Sequence, residues 1–76
     1  MEEKLLKQRL IGSIEGTYSL GIMYLKKYGN DDLKILLSKL ENIEDKIESC
    51  SSYNECLAYS NNLNDILKQI EEIINE

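Results

Sequence analysis

A chain of 76 residues is one domain, and its 42% hydrophobic content is enough for a core, which excludes a disordered segment. The net charge of −5 sets it against nucleic-acid backbones unless its few basic residues converge. Histidine is absent, which excludes imidazole acid–base chemistry and His-dependent metal sites; proline is absent too, so no helix is interrupted that way.

The first element is predicted as a helix over residues 3–28. Glu2 and Glu3 suit its positive N-terminal end, and Lys26 and Lys27 suit its negative C-terminal end. Its apolar residues fall in two rows. One is Ile11, Ile14, Tyr18, Gly21, Leu25 and Tyr28; the other is Leu6, Leu10, Thr17, Leu20 and Tyr24. Together the rows span roughly 200° of the helix, whereas a surface helix with one partner needs about 100°. Two neighbouring helices would cover such a face, or one neighbour and another subunit.

Three glycines interrupt this helix, each at a cost of about 1 kcal/mol relative to alanine. Gly12 and Gly16 share one side with Leu5 and Met23, and glycines four apart let another backbone approach closely. The expected use is an interface along Leu5, Gly12, Gly16 and Met23, with Leu6, Leu10 and Tyr24 beside it. The alternative is a locally weak or kinked helix with no partner on that side.

A boundary follows at Gly29, a left-handed C-cap candidate, and Asn30, which can cap the next helix. The second helix is predicted over 31–49. Leu33, Leu36, Leu40, Ile43 and Ile47 form a narrow stripe, with charged and polar residues elsewhere. The third is predicted over 53–75, with Ser52 and Glu55 in capping-box spacing. Its seam of Tyr59, Leu63, Ile66, Ile70 and Ile73 is widened by a second row of Tyr53, Leu57, Ser60, Leu67 and Ile74. These elements predict an all-α, three-helix up-down-up antiparallel bundle, associating as a homodimer through the surplus apolar face of the first helix.

Cys50 and Cys56 stand at the turn-proximal ends of two facing seams, at the mouth of a helical hairpin. Their Cα atoms are expected within about 4.4–6.8 Å, the window a disulfide needs. A structural disulfide is favoured over free buried thiols, and both over a redox role, because the spacing lacks the CxxC arrangement that lowers a thiol pKa. Two cysteines without histidine also fall short of a structural zinc site. No glycine-rich phosphate loop occurs, since the glycines lie within a helix. Neither a catalytic residue, a metal ligand nor a cofactor is therefore expected.

Charge is unevenly spread. Residues 1–40 carry seven basic residues against five acids, and residues 41–76 carry two against nine. Glu41, Glu44, Asp45 and Glu48 follow a helical surface pattern and read as a solvated face. Lys4, Lys7 and Arg9 form the one basic group able to contact phosphate, and it is small. The expected function is non-enzymatic: an adaptor or inhibitor-like module that binds itself and another protein. A dimeric nucleic-acid-binding regulator using Lys4, Lys7 and Arg9 is the alternative, and an acidic decoy using Glu41, Glu44, Asp45 and Glu48 a third reading. The acidic start and the lack of a long apolar run predict a cytoplasmic protein without a membrane span. A disulfide there would fit a hyperthermophilic archaeon, or a virus or plasmid of one.

Overall fold

The computed structural model describes residues 2–75. Among them are three helices and no strand: α1 (Glu2–Tyr28), α2 (Asp31–Ser49) and α3 (Tyr53–Ile74). At 1.5 Å per residue α1 is about 40 Å long, which matches the molecule's longest extent of 40 Å. The other two dimensions, 18 and 15 Å, are those of helices side by side.

The breaks between helices have local causes. Gly29 adopts φ +66°, the left-handed region that favours glycine. Its amide donates to the Leu25 carbonyl at 3.0 Å, closing α1 with a single left-handed cap. Asn30 then opens α2, its Oδ1 accepting from the Leu33 amide at 3.0 Å. Ser52 opens α3 in the same way, accepting from the Glu55 amide at 3.2 Å. Each such cap contributes about 1 kcal/mol. Glu55 does reach back, but to the Ser51 amide at 2.9 Å, one residue beyond the partner expected of a capping box.

All three helices pack against one another. Contacts between α1 and α2 run in opposite order along the two helices. Lys7 reaches Glu48 near one end, Tyr18 reaches Glu41 in the middle, and Gly21 lies under Leu37 nearer the other end. The buried core is Ile14, Leu33, Leu36, Leu37, Leu40, Ile43, Ile47, Leu63 and Ile70. Most of it comes from α2, whose periodic apolar stripe lies between the other two helices.

Three expectations are corrected by this packing. The stripe of α2 is wider than Leu33, Leu36, Leu40, Ile43 and Ile47, because Leu37 is also buried. With helices on two sides, α2 needs adjacent Leu36 and Leu37 to meet both. The face of α1 is narrower than its two rows implied, since Leu20 and Tyr28 are exposed. Leu20 lies at the outer edge of its row, and Tyr28 lies in the last turn. On α3, Tyr53 and Leu57 are exposed despite their apolar row; they sit in the first turns, at the edge of the core.

Candidate interaction surface

Helical geometry places Leu5, Gly12, Gly16 and Met23 within about 40° of one another on α1, roughly opposite the buried Ile14 and Gly21. The strip therefore points away from the core. Leu5 is 61% exposed and Met23 67%, with Leu20, at 58%, along the same side. A Cβ added at Gly12 or Gly16 would meet nothing within 4 Å. Packing within the chain thus makes no use of those two glycines. Gly21 is different: a Cβ there would come within 2.7 Å of Leu37, so the bare backbone is what admits that side chain.

The other expected interface residues behave differently. Leu10 and Tyr24 are half-buried against their own core, with Leu6 half-buried nearby in sequence. Tyr24 also lies against Tyr28, ring centroids 4.8 Å apart. Leu10 and Tyr24 support the fold, while Leu6 stands at the edge of the surface.

At the N-terminal end of α1 the strip opens into a shallow groove of about 270 Å³, lined by Glu2, Leu5, Leu6, Arg9 and Tyr53. Sequence reasoning missed it. Periodicity places Tyr53 on the buried side of α3, and charge makes Arg9 a phosphate contact. The available signal was position: Tyr53 opens α3 at the end of the bundle where α1 begins, so both meet beyond the last core layer.

A second groove lies between α1 and α2, lined by Ile14, Glu15, Tyr18, Ser19, Glu41 and Glu44. The Tyr18 hydroxyl donates to Glu41 Oε1 at 2.5 Å. That bond, then burial and the charges of Glu41 and Glu44, raises the Tyr18 pKa above its ordinary 10.0. Burial also raises the Glu44 pKa above 4.5, helped by the charges of Glu48, Glu15, Asp45 and Glu41. The acidic face is thus partly folded into a groove. Among the described residues, no group of three or more Cys, Asp or Glu is placed to hold a metal ion.

Lys7 of the expected basic group donates to the Glu48 carbonyl at 3.3 Å, beside the acidic end of α2. Cys50 and Cys56 are both buried at this end, their Cα atoms 6.1 Å apart and their sulfurs at disulfide distance. Among the described residues, no helix is long and apolar enough to cross a membrane. No protein-family model, no curated protein and no solved structure matches the chain.

Proposed function

We propose that this chain is a non-enzymatic interaction module: an up-down-up three-helix bundle that associates as a homodimer and acts by binding another protein, as an adaptor or inhibitor does. A cytoplasmic location is part of this reading. The observation that carries it is the outer face of α1. Leu5, Leu20 and Met23 are exposed there, on either side of two glycines whose outer faces are open space. Exposed apolar side chains scattered singly are ordinary; here Leu5 stands at one end of a glycine-floored strip and Leu20 and Met23 at the other, which marks the strip as a contact surface. The opposite order of contacts along α1 and α2 supports the bundle topology.

The alternative, a dimeric nucleic-acid regulator, has less support. Its Lys7 is turned toward the backbone carbonyl of Glu48 at the negative end of the α2 dipole, which draws it away from a phosphate. Sedimentation velocity across the micromolar range tests the dimer. A species of twice 8.8 kDa is expected, and an 8.8 kDa monomer throughout would overturn that part of the reading.

A further inference from the structure

The residues of the α1 surface strip are spaced symmetrically along the helix. Ile14 is the midpoint of that spacing. Gly12 and Gly16 stand two residues to either side, and Leu5 and Met23 stand nine to either side. A helix with this spacing is complementary to itself when reversed. We propose that the occupant is a second copy of this chain, laid antiparallel along α1 about a two-fold axis at the level of Ile14. The partner's Met23 then enters the Leu5–Leu6–Tyr53 groove, and the two-fold repeats the contact. The inference rests on the interaction-module reading and specifies its geometry.

Four observations converge on it. Gly12 and Gly16 leave open space where the two helices would cross, so the backbones can approach closely. Met23 is exposed, unbranched and flexible, the side chain suited to an irregular groove. Glu2 stands on the rim of that groove, and reversal brings the partner's Lys27 to it. The same reversal lays Leu20 against the aliphatic stem of the partner's Arg9. A parallel arrangement would instead stack Lys26 and Lys27 on their own copies, and Glu2 and Glu3 on theirs. Charge therefore selects the antiparallel sense.

The test places a photoreactive side chain by the substitution Leu5→p-benzoylphenylalanine in the full chain. Irradiation, isolation of the covalent dimer band and peptide mass spectrometry then locate the bond. A link to the partner's Met23 is expected. If the chain dimerises by sedimentation but the link falls in the partner's first turns, or no covalent dimer forms, the antiparallel geometry is wrong while self-association stands. A monomer at all concentrations would sink both. A second variant, Gly16→Leu, fills space that is open within the chain. Its circular dichroism and melting should show an intact helical fold, with the dimer dissociation constant raised roughly tenfold or more. An unchanged dissociation constant in a folded Gly16→Leu would also overturn the arrangement.

Discussion

Gly21 of α1 receives the tip of Leu37 of α2 against bare backbone: a Cβ built on Gly21 would lie 2.7 Å from Leu37 Cδ2 and 3.2 Å from Cδ1. Both residues are buried, so the leucine has little room to retreat. Two effects oppose each other in Gly21→Ala. Helix propensity favours alanine by about 1 kcal/mol. Overpacking a close-packed core costs about 1–3 kcal/mol. The clash wins, and urea unfolding should show a net loss of about 1 kcal/mol. In a Leu37→Ala background the clash is gone, and the same substitution should become stabilising. A loss of stability in both backgrounds would show that Gly21 serves something other than Leu37.

The thiol pair at the opposite end of the bundle makes a second test. Closing the short loop between Cys50 and Cys56 should contribute about 2 kcal/mol by restricting the unfolded chain. In a domain of this size that corresponds to a melting temperature about 10 °C lower after reduction. Thermal denaturation with and without reductant measures it, and alkylation before reduction counts reactive thiols. Unchanged melting together with two alkylated thiols in protein purified without reductant would remove the staple.

Acid behaviour should carry the mark of Glu44. Its pKa is raised in the folded state, so the fold holds that proton more tightly than the unfolded chain does. Linkage then gives the sign: the contribution is most favourable below the ordinary carboxylate range and declines as pH rises through it. Glu44→Gln should accordingly raise stability at pH 7. Relief of the i, i+4 repulsion with Glu48 alone gives about 0.2–0.5 kcal/mol. The gain should vanish near pH 3, and urea midpoints at the two pH values would show it. A variant less stable at pH 7 would mean that the carboxylate makes a favourable contact in that groove.

Gly29 calls for the opposite treatment from the glycines on the outer face of α1. Space around it is open, yet its φ of +66° penalises any side chain. Gly29→Ala should therefore cost about 1–2 kcal/mol, the strain of a left-handed non-glycine residue. Gly29→Asn, which tolerates that conformation better, should lose less. Equal losses for both, read from urea midpoints, would argue against strain as the cause.

Much of the fold was legible because it depends on local chemistry. Gly29, Asn30 and Ser52 mark helix ends through caps that act within four residues, and each acts there in the structure. The seams of α2 and α3 follow from apolar spacing, and so does the proximity of Cys50 and Cys56. What escaped is what depends on a third helix. Leu37 looks like an off-stripe residue until α2 is seen to have neighbours on two sides. Tyr53, Leu57 and Leu20 look buried by period, but period says nothing about where a core ends. The groove formed by Leu5, Leu6 and Tyr53 joins helices far apart in sequence, so no local pattern announces it.

The links at Gly29–Asn30 and at Ser51–Ser52 are the two non-helical joints within the described residues, and they differ in what a cut would release. With the sulfurs joined, the bridge from Cys50 to Cys56 spans the second joint. A protease that nicks between Ser51 and Ser52 leaves α2 and α3 in one covalent piece, and a non-reducing gel would still show a single band. A nick at Gly29–Asn30 has no such safeguard. It cuts the covalent link between α1, the helix that carries the outward strip, and a hairpin that remains tied at its base, so packing alone then holds α1 in place. One peptide bond thus decides whether the outward strip and the α2–α3 hairpin migrate together on a denaturing gel.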